Sequence, residues 1–455
     1  MKIVHALGWY FPERLGGTEI YVAHLCREAQ NAGFSPIVTI PDPRVATPTE
    51  TEHEGVPVWR RPSPSTPTRD EAQGRSAARG AELFERWLAE QRPDVFHCHT
   101  FVTGLGLPEL KMARRHSRVV VVTTHSSALG WICQRGSLLE RGEKPCDGIA
   151  SPRRCAECML TERGLPTAAA TLVSRIPSRV SGRLGRLPGK MGTMLGAAGQ
   201  IAENLDRQRQ MLDLVDRFVV LTGFARKALL ENGAPPEKVV VNRLGVGPQF
   251  VGLRPARPPA AAPLRIGYLG RFDAIKGVED LARAIASLPP ELPLRFEFRG
   301  PARTDADRER RDAVQGLLRS DSRAEFPPEI APGDVPKTLA TWDVACFPSR
   351  CHEGGPTAAL EARAMGAPAI GSAIGGLAEI VRDEKDGALF APGDVAALAS
   401  LLRRLATNPS LVDAWRAALP PVRTMTEVAA DYFALYETTL AGDSARSPVG
   451  ARAPR

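Results

Sequence analysis

A chain of 455 residues, 43% apolar and 24% charged, has a globular composition and the length for two domains with separate cores. No apolar run approaches the roughly 18 residues of a membrane span, and the short apolar stretch at 3–7 is no signal peptide, so a cytoplasmic location is expected. The net charge of +8 points to an anionic partner: a phosphorylated substrate or an anionic membrane face, but not nucleic acid, because no base-reading module is present.

Residues 3–7 read as a strand buried on both faces, as in a parallel sheet. A loop over 8–17 leads into a helix over about 18–30, whose apolar positions are Ile20, Val22, Ala23, Leu25 and Cys26. Gly16-Gly17, between strand and helix, allows close approach of backbone to a phosphate. The third glycine of the dinucleotide fingerprint is missing. Strands follow at 36–40 and from 56, then a surface excursion over 61–80 and a helix over 81–91. Residues 94–99 form a strand ending in His97 and His99, which alternation places on one side. A metal pair and a pair satisfied by backbone hydrogen bonds both fit that pattern. The buried strand over 119–124 delivers His125 to its carboxyl end, where ligands gather in open parallel sheets.

Cys133, Cys146, Cys155 and Cys158 then follow with spacing C-x12-C-x8-C-x2-C. Four thiolates in so short a span suit a structural zinc site; another metal or cluster, free thiols and a disulfide remain open. In a cytoplasmic protein stable disulfides are disfavoured. Residues 165–201 are basic and poor in acids, with Arg175, Arg179, Arg183, Arg186 and Lys190 interleaved with Leu172, Val173, Ile176, Val180, Leu184, Leu187, Met191 and Leu195. Such a segment can rest on anionic headgroups or stand as a solvated basic loop, and its glycines and prolines break any single long helix. A helix over 204–214, strands at 215–222 and 239–242, and a proline-rich linker at 249–264 complete the first half.

The second half opens with a strand over 265–269 and the turn Gly270-Arg271-x4-Lys276-Gly277. An arginine and a lysine five apart at a strand-to-helix turn can clamp one diphosphate from two sides. A strand over 344–347 leads to Cys351-His352-Glu353-Gly354-Gly355-Pro356-Thr357 and a helix from Pro356 to about Met365. Free amides at Thr357 and Ala358 would attract phosphate. Were both helical, Glu353 and Glu361 would stand about 12 Å apart along the axis. That exceeds the roughly 5–9.5 Å of a glycosidase pair. Two carboxylates reaching different parts of one hydroxyl-rich ligand fit better. Asp305-Ala306-Asp307 is the chain's one Asp-x-Asp and reads as a solvated loop.

The set Glu353-x7-Glu361, Gly366-x-Pro368, Gly375-Gly376 and Glu379, with the Arg271–Lys276 turn, resembles family 4 of the retaining glycosyltransferases, in a subset carrying a cysteine-bearing insertion. The resemblance implies an α/β fold of the GT-B type, two Rossmann-like domains facing across a cleft. The expected division is an acceptor-side domain at 1–248 with an insertion at about 126–202, the linker, a nucleotide-sugar domain at 265–420, a helix at 421–442 crossing back, and a disordered tail at 443–455. It implies a nucleotide-diphosphate sugar donor, with Glu353 at the hexose, Glu361 at the ribose, and Gly16-Gly17, Arg271, Lys276, Gly354, Gly355, Pro356 and Thr357 around the diphosphate. His125 would stand near the reacting sugar carbon or the acceptor. No catalytic metal is implied, and the histidine pair carries none in the family. Gly355-Pro356 departs from the bulky residue and glycine of many members. The acceptor expected is a glycan or lipid-linked glycan of envelope or exopolysaccharide assembly. The alternative is an inactive nucleotide-sugar-binding scaffold subunit; an epimerase lacks its acid–base carboxylates. The cysteine insertion is expected beside the acceptor, away from the donor pocket.

Overall fold

The computed structural model describes residues 1–12, 16–253, 255, 259–261 and 263–444, with side chains described as far as 442. Most of the expected tail, and part of the expected linker, lie outside the described residues. Among the described residues the first unit supplies β1 (Lys2–Ala6), β2 (Ser35–Asp42), β3 (Thr49–His53), β4 (Val56–Pro62), β5 (Val95–Cys98) and β6 (Val119–Thr123). A small hairpin, β7 (Leu139–Glu140) and β8 (Lys144–Pro145), comes next, followed by β9 (Arg217–Val220) and β10 (Val239–Val241). The main sheet runs β10-β9-β6-β5-β1-β2-β4-β3 and is parallel except for β3, which lies antiparallel to β4 at the edge. β6 is Val-Val-Val-Val-Thr and buried throughout, as a strand covered on both faces demands.

The second unit contributes β11 (Leu264–Leu269), β12 (Leu294–Arg299), β13 (Ala324–Glu325), β14 (Val344–Phe347), β15 (Ala369–Ser372) and β16 (Gly387–Phe390). Their order is β13-β12-β11-β14-β15-β16, all parallel. In each sheet the winding reverses beside the first strand, at β1/β5 and at β11/β14. Loops leaving adjacent strands there diverge to opposite faces and open a crevice beyond the carboxyl ends. That geometry collects the loop after β1, His125 after β6, the Arg271 turn after β11 and the Glu353 loop after β14.

The closing helix Met425–Ser444 packs on the first sheet, not the second. Its Val428, Tyr432 and Tyr436 are buried with Ile3, Val22, Val38 and Val121. Three local expectations need correction. Asp305 and Asp307 open the helix Asp305–Leu317, where Asp307 and Thr304 satisfy each other in a capping box, so they form no solvated loop. Residues 69–72 within the surface excursion are helical, capped by Thr68 and Glu71. The basic stretch folds as three short helices, Thr167–Ser174, Ser178–Leu184 and Gly189–Leu195, ahead of a long one, Ala197–Leu214. That long helix begins before the expected 204, and its first turn packs on the second short helix: a Cβ on Gly199 would lie 2.3 Å from the Gly182 nitrogen.

Candidate functional site

The second unit builds one wall of the crevice from two loops. Arg350 joins them: its backbone N–H donates to Ile275 O at 2.8 Å, and its guanidinium holds buried Asp280 through two bonds of 2.6 and 2.5 Å. So fixed, the Lys276 ammonium pairs with one carboxylate oxygen of Glu353 while the Ser349 hydroxyl donates to the other. Arg271 does not join this pair; it stands half exposed, 3.3 Å from Asp273. The Glu353 loop is shaped by glycine. Gly355 has φ +126°, and a Cβ on Gly376 would lie 2.5 Å from the Gly355 Cα, so the segment after β15 presses directly on the loop. The Gly376 N–H donates to Glu353 O at 3.0 Å.

Helix Thr357–Ala364 starts one residue later than expected, with Pro356 as its N-cap. Its ladder begins where Ala359 N–H donates to Pro356 O at 2.9 Å, leaving the Thr357 and Ala358 amides ahead of it. They form the positive end of the helix. Glu361 follows one turn on, and desolvation raises its carboxyl to about 7.

The first unit supplies the facing wall, and here the sequence reading missed partners. His125 Nε2 lies 3.1 Å from His99 Nδ1, and His99 Nε2 lies 3.0 Å from His5 Nδ1. His97 is bonded through Nδ1 to the Tyr436 hydroxyl (2.6 Å) and through Nε2 to Thr123 Oγ1 (2.7 Å). Side chains, rather than the backbone, therefore satisfy the histidine pair. Burial holds His5 at about 3 and His125 at about 4, and keeps His97 and His99 well below the ordinary imidazole value, so all four are neutral at pH 7. A neutral ring donates from one nitrogen and accepts at the other. Along His5–His99–His125 the bonds must consequently all point one way, and their direction sets whether the free nitrogen of His125 donates or accepts.

Among the described residues, His5, His97 and His99 are the one group of three whose ligand atoms lie within 4.8 Å of one another. A cation there would displace the hydrogen bonds just given, so the cluster reads as a satisfied polar core. Gly16 caps helix Gly17–Asn31, and one turn in, Tyr21 packs its ring on His125 at 4.8 Å. The space around Gly17 is open: a Cβ there meets nothing within 4 Å.

The two walls touch. A Cβ on Gly354 would lie 3.2 Å from Leu221 and 3.6 Å from the His125 carbonyl oxygen. Phe224, at the start of helix Gly223–Glu231, stacks on His352 with centroids 3.5 Å apart. Glu379 accepts from Phe224 N–H at 3.1 Å and pairs with Arg243 at 2.9 Å. The Ser127 hydroxyl donates to His352 O. Burial brings the imidazole of His352 down to about 4. The cysteine insertion thus reaches the residue beside Glu353, which corrects the expectation that it flanks the acceptor side alone. Signals for His5, Tyr21, Tyr432 and Tyr436 were absent from any local motif, because strand pairing and the returning helix bring them together.

The sequence pattern of the glycosyl transferase 4-like domain matches residues 16–245, and that of the glycosyl transferases group 1 matches residues 263–408. The chain is 30% identical over 212 residues to a D-inositol 3-phosphate glycosyltransferase of Kineococcus radiotolerans, covering 42% of this chain and about half (48%) of that protein. Its counterpart from Pseudarthrobacter chlorophenolicus is 24% identical over 429 residues, covering 89% and 85% of the two chains. Among solved structures, sucrose-phosphate synthase from Thermosynechococcus elongatus superposes with TM-score 0.65 at 19% identity, covering 97% of this chain and 99% of its own. Anabaena HepE in complex with UDP and glucose gives TM-score 0.61 at 14% identity, covering 96% and 100%. These likenesses share the paired α/β units and the intervening crevice described above. With a 4-like domain over its first half and a group 1 domain over its second, the chain belongs to the GT-B glycosyltransferases of family 4.

Proposed function

We propose that the chain is a retaining glycosyltransferase that moves a sugar from a nucleotide-diphosphate sugar to a glycan or lipid-linked glycan acceptor. The observation carrying this is the Lys276–Glu353 pair beside the helix start at Thr357, set across the crevice from His125. Glu353 accepts from hexose hydroxyls, while Lys276, with Arg271 and the Thr357 and Ala358 amides, faces the diphosphate. The bond from the anomeric carbon to the diphosphate breaks with its electron pair leaving on the phosphate oxygen. An acceptor oxygen bonds the same carbon from the same face, and its proton passes to the departing phosphate. The charge that develops on the diphosphate is what Lys276 and the helix start stabilise. His125, neutral and oriented through His99, hydrogen-bonds the sugar.

A lipid-linked acceptor is favoured by the patch on the three short helices. There Leu172 (70% exposed), Val180, Leu187 and Met191 (64%) stand among the exposed Arg175, Arg179, Arg183, Arg186 and Lys190. No helix among the described residues is long and apolar enough to cross a membrane. The test is nucleotide release from UDP-, GDP- and ADP-sugars, with and without lipid-linked glycans. Tight nucleotide binding with no sugar transfer to any acceptor would instead mean a binding subunit.

On this reading the Glu361 carboxylate accepts from the ribose hydroxyls, and such donors favour its ionised form. Its pKa of about 7 should then fall on binding, so a proton is released and affinity rises as pH increases from 6 to 8. Glu361→Ala is expected to weaken nucleotide binding about ten- to a hundredfold, as for one charged hydrogen bond of roughly 1.5–3 kcal/mol. Glu361→Gln should abolish the pH dependence. Calorimetry in two buffers of different ionisation enthalpy checks both; unchanged affinity and no proton release would remove Glu361 from the ribose.

A further inference from the structure

We propose that Cys133, Cys146, Cys155 and Cys158 form a structural zinc site that rivets the 126–160 segment between the two walls of the crevice. Three separate pieces of chain bring the four cysteines to one cavity: the turn carrying Cys133, the end of β8 at Cys146, and the first turns of helix Pro152–Glu162 with Cys155 and Cys158. All four line one cavity of about 40 Å³, closed in by Ile132, Leu138 and Met159. Among the described residues no three of these sulfurs lie within 4.8 Å of one another. A zinc–thiolate bond of about 2.3 Å requires tetrahedral edges of about 3.8 Å. Rotation of the cysteine side chains toward the cavity centre is the motion that closes the shell.

Backbone donors already point at three of the sulfurs. Arg141 N–H donates to Cys158 Sγ at 3.0 Å, Gly148 N–H to Cys146 Sγ at 3.5 Å, and Ser151 N–H to Cys155 Sγ at 3.4 Å. Amide donors on sulfur stabilise thiolate and orient it, the role of outer-shell partners at a metal site. Arg135 and Arg154 also line the cavity, each paired with a carboxylate, Glu162 at 2.9 Å and Asp147 at 2.7 Å.

The segment needs a staple. Its only sheet is two strands of two residues each, and it holds Leu138 and Arg141 in the left-handed region at φ 49° and 54°. Conformations of that kind persist only where the surroundings impose them. Four thiolates on one ion would tie three stretches of this segment to a single point. What it rigidifies is specific. Asn232, which caps the end of the helix that carries Phe224, accepts from Ala150 N–H at 2.9 Å and donates to Gly148 O at 2.7 Å. On the opposite side, the Ser127 hydroxyl donates to His352 O, next to Glu353.

The test is metal analysis of the full-length chain purified under reducing conditions. About one zinc per chain is expected, together with four thiols that a thiol reagent reaches only after a strong chelator is added. Cobalt exchanged into the site should give sulfur-to-metal charge-transfer bands and tetrahedral d–d absorption. Cys155→Ser/Cys158→Ser should carry less than a tenth of the wild-type zinc. The chelation experiment uses the wild-type chain, so it decides the matter even if that variant fails to fold. Zinc at trace level with four thiols reacting at once in the native protein overturns the proposal, as does stoichiometric iron with visible absorption.

Discussion

Lys276→Ala is expected to lower turnover by a hundredfold or more, about 3 kcal/mol of barrier, while changing the affinity for nucleotide far less. The asymmetry follows from when charge appears. The ground-state diphosphate is already anionic, but the oxygen that leaves the sugar gains its charge only as the bond breaks. Lys276 is held in a partly buried position by Glu353 and by the Arg350–Asp280 brace behind both loops, where the proposed mechanism brings that oxygen. Removing the ammonium also leaves the Glu353 carboxylate without its partner, so Lys276→Arg serves as control: it restores the charge, and part of the rate should return. Arg271→Ala should cost less, because a half-exposed guanidinium already engaged by Asp273 is screened. Single-turnover rates with calorimetric affinities separate the two effects. Near-normal turnover of Lys276→Ala would remove the phosphate clamp from the mechanism.

Acid is expected to unfold the protein abruptly. His5, His97, His99, His125 and His352 are all held neutral by burial, three of them at about 3 to 4. Unfolded imidazoles bind protons below about 6.5. Between that pH and the folded values the unfolded chain holds more protons, so stability falls as pH decreases. Glu361 acts in the opposite direction: raised to about 7, it binds its proton in the folded chain first and adds stability on acidification. One carboxyl against five imidazoles cannot reverse the trend. Melting temperatures should therefore drop steeply between pH 6.5 and 5, with up to five protons taken up on unfolding. His99→Asn, which removes one such proton and interrupts the path to His125, should lower the melting temperature at pH 7.5 and flatten the acid slope. A melting temperature that stays level across this range would mean the imidazoles are charged in the folded state.

The elements of this fold were legible wherever one local pattern decided the outcome. Four consecutive valines before Thr123 give a strand covered on both faces, and 81–91 forms a helix over the span that its periodicity indicates. The Glu353 and Lys276 segments stand out because each packs glycine, charge and a helix start into about ten residues. Long-range partnerships left no such trace. Nothing near His125 announces His5 or His99, because three different strands must pair before those rings meet. Glycines were read as helix breaks at 165–201, and the sequence could not show that Gly182 and Gly199 also serve as a helix–helix contact. Asp305-Ala306-Asp307 misled for the converse reason: its carboxylates are occupied locally, at a cap.

The returning helix has a consequence for how the protein is made. Synthesis completes β1, β5 and β6 early, yet His97 Nδ1 and Thr123 find Tyr436 and Tyr432 only after more than three hundred further residues have been added. Until then the first sheet carries an uncovered apolar face around Ile3, Val22 and Val121, a ready target for chaperones while the chain is still on the ribosome. A fragment ending near residue 248 would keep that face exposed permanently. The first unit, though continuous in sequence for most of its length, is in this sense the last part of the molecule to mature.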